Sequence, residues 1–167
     1  MDDPPGNRAG VKVDFQKMLL VLGQGPSCGE TEPEIYMRIL IVEDEFLIAI
    51  NLEGMLADLG HEVVGPARTK TEALEAADDA AVALVDVRLA DGITGPEIAE
   101  ALRARDITVV FTTANPEAVL DSSAGVAVIS KPYDEHVIGQ AVAYAQAVRE
   151  GREMPVPPRL TRIPVAM

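Results

Sequence analysis

From residue 37 to residue 149, short apolar runs alternate with stretches whose apolar positions recur every three or four residues. Arg38–Val42 (RILIV) is apolar and largely branched, the pattern of a strand covered on both faces. After it, Ile48, Leu52, Met55 and Leu59 predict one face of a helix, which Gly60 ends. Glu62–Gly65 predicts a second strand. Thr69–Ala77 predicts a second helix, with Thr69 as its cap and Glu72 completing a capping box. Ala81–Val85 predicts a third strand, and Thr94 to about Ala104 a third helix. Ile107–Thr112 predicts a fourth strand, with a short helix after Pro116. Val126–Ile129 predicts a fifth strand, and Asp134–Arg149 a last helix with Val137, Ala141, Tyr144 and Val148 turned inward. Five strands alternating with five helices predict βαβ units, hence an α/β fold with a single doubly wound, five-stranded parallel sheet.

The two ends break this rhythm. Residues 1–36 are punctuated by Pro4, Pro5, Gly6, Gly10, Gly23, Gly25, Pro26, Gly29 and Pro33, and only Val11–Leu22 is apolar enough to form an element. They predict a loosely attached extension, with Met37 as a candidate natural start. Residues 37–149 form the expected domain, and residues 150–167, with Pro155, Pro157, Pro158 and Pro164, an extended Pro-rich tail.

Charge narrows the function classes. The chain of 167 residues carries 14 Lys and Arg against 27 Asp and Glu, a formal net charge of −13. An acidic chain without a basic stripe lacks the electrostatic footprint for nucleic acid and is repelled by anionic lipid. No apolar run approaches the length of a membrane span. The lone cysteine, Cys28, allows no internal disulfide, so a cytoplasmic location is expected. His61 and His136 have no metal-type spacing, which argues against zinc.

In doubly wound sheets, ligands bind outside the carboxyl ends of the strands, where strand order reverses. Those ends are rich in chemistry. Glu43, Asp44 and Glu45 follow strand one, Asp86 ends strand three, Thr113 follows strand four, and Ser130, Lys131 and Pro132 follow strand five. Glu45 reads as a solvated or helix-capping residue. Carboxylates converging on one point repel unless a cation joins them, and oxygen donors suit Mg²⁺. An aspartate can attack phosphorus to give an acyl phosphate. The phosphoryl oxygens then need a metal on one side and a fixed cation, such as Lys131, on the other.

With these pieces the sequence resembles the receiver domain of bacterial response regulators, of the stand-alone (CheY-like) kind with a flavodoxin-like fold. The matching segments are RILIVEDE (38–45), ALVDVRL (83–89), VVFTTA (109–114) and ISKPY (129–133). The resemblance implies that Asp86 is the phosphoacceptor and that Glu43, Asp44, Asp86 and the backbone carbonyl of Arg88 hold Mg²⁺. It implies that Thr113 is the switch hydroxyl, that Lys131 binds the phosphoryl group, and that Lys131–Pro132 is a cis peptide. The FTTAN run (111–115) is similar to the strand-four motif of certain stand-alone receivers. Residues 60–76 resemble receivers of alphaproteobacterial stress signalling. Two departures stand out. Receivers often carry a rotating aromatic three positions before the lysine, and here that residue is Val128. The turn Asp91–Gly95 (DGITG) is one residue longer than usual, and Ala90 stands where proline is common.

The function expected on this resemblance is phosphoryl acceptance by Asp86 from a histidine kinase or phosphotransfer protein, followed by phosphorylation-dependent binding of a downstream protein or action as a phosphoryl sink. It is a signalling domain rather than a turnover enzyme. With no effector segment recognised after Arg149, the output is expected through protein contacts. The alternatives are a receiver-like scaffold that works without phosphorylation and a small dinucleotide-dependent enzyme. The latter rests on Gly23–Gly29, where the third glycine falls one position late and no helix pattern follows.

Overall fold

The computed structural model describes residues 36–164. The extension assigned to residues 1–36 therefore falls outside the described residues except for Tyr36, as do Cys28 and the Gly23–Gly29 segment.

Apolar runs flanked by polar turns become the strands β1 (Arg38–Val42), β2 (Glu62–Ala67), β3 (Val82–Asp86), β4 (Thr108–Thr113) and β5 (Ala127–Ser130). The helices are α1 (Phe46–Asp58), α2 (Lys70–Ala76), α3 (Gly95–Arg103) and α4 (Glu135–Arg149). The strands lie in the order β2-β1-β3-β4-β5, all parallel, so the order reverses between β1 and β3. Strand and helix periods thus agree with the pattern of the sequence, and an α/β doubly wound sheet results.

Two elements differ from expectation. The short helix expected after Pro116 is present as a 3-10 helix, Pro116–Val119, so the described residues hold four α-helices rather than five. The Pro-rich tail also does more than extend. Its Leu160–Arg162 forms a sixth strand, β6, antiparallel to β5 with Val128 opposite Thr161. Gly151, at φ +67, turns the chain after α4 and starts it back toward that edge. Leu160 is buried on one face of the sheet, while Ile163, just past the strand, is buried on the other against Phe111.

The helices cover both faces of the sheet. Helices α1 and α4 pack together on one face, where Ile39, Ile41, Leu84, Val110 and Ile129 meet Leu52, Leu56, Ile138 and Val142. Helices α2 and α3 cover the other through Ala73, Ile98, Ala99 and Leu102. The stripe of α1 is rotated from expectation. Ala49, Leu52 and Leu56 are buried, whereas Ile48, Met55 and Leu59 are half-buried and Phe46, Leu47 and Ile50 are exposed. The small Ala49 lets the helix lie close to the sheet on a face that a count of large apolar residues misplaces. In α2 the Thr69 hydroxyl accepts from Glu72 N, while the Glu72 carboxylate accepts from Arg68 N, one residue before the cap. No helix among the described residues is long and apolar enough to cross a membrane.

Candidate functional site

The chain turns sharply at the end of β1, and β2 explains how. Gly65 has φ +98, and a Cβ there would lie 2.7 Å from the Ile41 carbonyl oxygen, so only glycine fits. The pairing register slips between Leu40 and Val42, which brings Ala67 opposite Val42 and lets Glu43 N donate to the Ala67 carbonyl at 2.8 Å. Glu43 is thereby held at the sheet edge with 1% exposure. Its carboxylate accepts from Glu45 N at 3.1 Å, so Glu45 contributes its backbone while its exposed side chain makes no cap hydrogen bond.

Asp86 is the last residue of β3 and is 6% exposed. One carboxylate oxygen accepts from Arg88 N at 3.3 Å. The other accepts from Lys131 Nζ at 2.7 Å, and the same ammonium donates to Glu43 at 2.7 Å. One cation therefore bridges carboxylates from β1 and β3 across the point where strand order reverses. Carboxylate oxygens of Glu43, Asp44 and Asp86 lie within 4.8 Å of one another.

These contacts set the protonation equilibria. Burial raises the Glu43 pKa above its ordinary value, opposed by the Lys131 ammonium and assisted by the Asp86 charge. Burial acts to lower Lys131, but its hydrogen bonds to Asp86 and Glu43 outweigh that and hold its pKa above the usual lysine value. The lysine stays charged.

Thr113 ends β4, with 7% exposure. Its hydroxyl oxygen accepts from Asn115 N at 3.1 Å, and its carbonyl accepts from Lys131 N at 2.9 Å. Among the described contacts its hydroxyl bonds to Asn115 rather than to Asp86 or Lys131, so Thr113 stands beside the cluster, with its own proton available to donate. The Lys131–Pro132 bond is cis, as expected.

Three site residues were not singled out from sequence. Thr112, 1% exposed, is the register partner of Asp86. Gly95 opens α3 so close to the chain after Asp86 that a Cβ would lie 2.5 Å from the Asp86 carbonyl oxygen. Tyr133, two residues past Lys131, has a buried hydroxyl without a hydrogen-bond partner. A glycine ending a long turn was the one visible signal for Gly95. The long turn itself is closed by reciprocal Leu89–Gly92 hydrogen bonds and by Asp91, which accepts from Thr94 Oγ1 and Lys70 N.

The model of the response regulator receiver domain family matches residues 39–143. The chain is 37% identical over 130 residues to the phyllosphere-induced regulator PhyR of Methylorubrum extorquens (strain AM1), covering 72% of this chain and 49% of that protein. Among solved structures, a double mutant of the anti-anti-sigma factor PhyR from Bartonella quintana is 32% identical, with a TM-score of 0.63, covering 71% of this chain and 52% of that one. The receiver domain of PhyR from Erythrobacter litoralis is 31% identical, with a TM-score of 0.62, covering 73% of this chain and 96% of that domain. The chain spans about half the length of the curated relative it matches.

Proposed function

The chain belongs to the response regulator receiver domain family, and on that premise we propose that it is switched by transfer of a phosphoryl group to Asp86. The observation that carries this reading is the Lys131 ammonium held between Asp86 and Glu43 at the reversal of strand order. In the proposed step a carboxylate oxygen of Asp86 attacks phosphorus in line. The phosphorus–nitrogen bond to a donor histidine breaks, a phosphorus–oxygen bond to Asp86 forms, and the bonding pair leaves with the imidazole. Lys131 exchanges a carboxylate for a phosphoryl oxygen, and Thr113 donates its hydroxyl proton to another.

The donor set fits a Mg²⁺ ion, because Glu43, Asp44 and Asp86 supply clustered carboxylate oxygens and the Arg88 carbonyl follows two residues on. A bound Mg²⁺ would neutralise charge shared by these carboxylates and the phosphoryl oxygens. A protein donor is supported by the exposed apolar side chains of Phe46, Leu47, Ile50 and Ile93, which follow the same strand ends. We take that donor to be a histidine kinase or phosphotransfer protein in the cytoplasm. Its downstream partner belongs to the control of a sigma factor, by likeness to the Bartonella anti-anti-sigma factor. Action as a phosphoryl sink uses the same chemistry.

The metal tests this reading. With a small-molecule phosphodonor and Mg²⁺, the intact mass should rise by one phosphoryl group, and EDTA should abolish the gain. Equal labelling in EDTA counts against the carboxylate cluster as the reacting centre.

A further inference from the structure

Val128 leaves open how a phosphoryl group on Asp86 is felt elsewhere. It is 1% exposed, and its strand edge is covered by β6, with Thr161 directly opposite. Nothing on β5 can swing as an aromatic would. The aromatic nearest Lys131 in sequence is instead Tyr133, on the same loop. Tyr133 packs against the core between α1, α4 and the sheet, and it lines a cavity of about 350 Å³ with Ile48, Asn51, Met55, Lys131 and Pro132. Its hydroxyl is buried and unpartnered. Buried hydroxyls are nearly always paired, so a group left unpaired in one state is a candidate to gain its partner in another.

Lys131 can supply that partner. An ammonium has three donors, and two are committed to Glu43 and Asp86. A cation held by the carboxylates would free Lys131 from Glu43, and a phosphoryl group on Asp86 would then claim only part of the freed capacity. Resting on the phosphoacceptor reading above, we propose that Tyr133 is the switch aromatic of this chain: its hydroxyl accepts a hydrogen bond from the released Lys131 ammonium, and the ring carries the change to the α1–α4 face. Burial pushes the Tyr133 hydroxyl up to about 12, the Glu43 and Asp86 carboxylates act the same way, and the Lys131 ammonium and the Thr112 side chain oppose them.

The chain has no tryptophan and three tyrosines, which makes tyrosine fluorescence a clean probe. The full chain is titrated with beryllofluoride in Mg²⁺, as wild type and as Tyr133→Phe. The wild type should show a fluorescence step that Tyr133→Phe lacks, and the variant should bind beryllofluoride about fivefold more weakly. Without ligand, the thermal midpoint of Tyr133→Phe should not fall, because the buried hydroxyl makes no hydrogen bond of ordinary geometry and its weak interaction with Thr112 does not offset the cost of burying it. An undiminished step, unchanged affinity or a lowered unliganded midpoint in the variant overturns the inference while leaving the phosphoacceptor reading intact. Absence of Mg²⁺-dependent binding by the wild type overturns both.

Discussion

Lys131 holds together two carboxylates that would otherwise repel, and it does so in a site with little water. Its side chain is 16% exposed, and the carboxylates it joins are more deeply buried still. Removing one partner of such a pair strands the other charge. Lys131→Ala should therefore lower stability by about 3 kcal/mol in EDTA, measured by urea unfolding. The same substitution should raise affinity for Mg²⁺, since the ammonium no longer competes for Glu43 and Asp86. An unchanged Mg²⁺ affinity would mean that the ion binds elsewhere. Most individual site residues were legible in the sequence, because a charged or hydroxylic residue directly after an apolar strand is conspicuous. Thr112 and Tyr133 were not. Thr112 sits within a run of ordinary strand character and Tyr133 in a loop where an aromatic carries no special signal, and only the register of β3 with β4 or the burial of one hydroxyl gives each its meaning.

Helix α3 is where element packing reaches the chemistry. Its first residue, Gly95, donates its N–H to the Val87 carbonyl at 3.2 Å, and a Cβ there would fall 2.6 Å from Val87 Cα. Alanine is the better helix former, yet Gly95→Ala must push either α3 or the Asp86–Val87 backbone aside. We expect a loss of about 2 kcal/mol in stability and slower phosphorylation, read together by thermal unfolding and by the rate of mass gain. A stabilised variant with an unchanged rate would show that this contact does not position Asp86. The long strands and helices were readable from period alone. The α1 face was misjudged because buried Ala49 does not stand out in a pattern of large apolar residues. Strand β6 was hidden for a different reason. Three residues carry no periodicity, and Leu160–Arg162 becomes a strand only because β5 offers an unpaired edge.

At the scale of the molecule, the parallel order β2-β1-β3-β4-β5 brings four strand ends to one edge, and the acidic cluster and its lysine follow from that topology. Four short motifs in order made the fold and the centre of the site readable together, since each motif is a strand plus the group at its end. The path of the signal away from that centre was not readable, because Val128 fills the expected position without an aromatic ring and the covering strand comes from the far end of the chain. The central claim is that one carboxylate, Asp86, becomes the acyl phosphate. The most direct test is intact-mass analysis of wild type and Asp86→Asn after incubation with a small-molecule phosphodonor and Mg²⁺. One acid-stable, base-labile phosphoryl group is expected on the wild type and none on the variant; an Asp86→Asn protein that still gains such a group would rule out Asp86 as the acceptor.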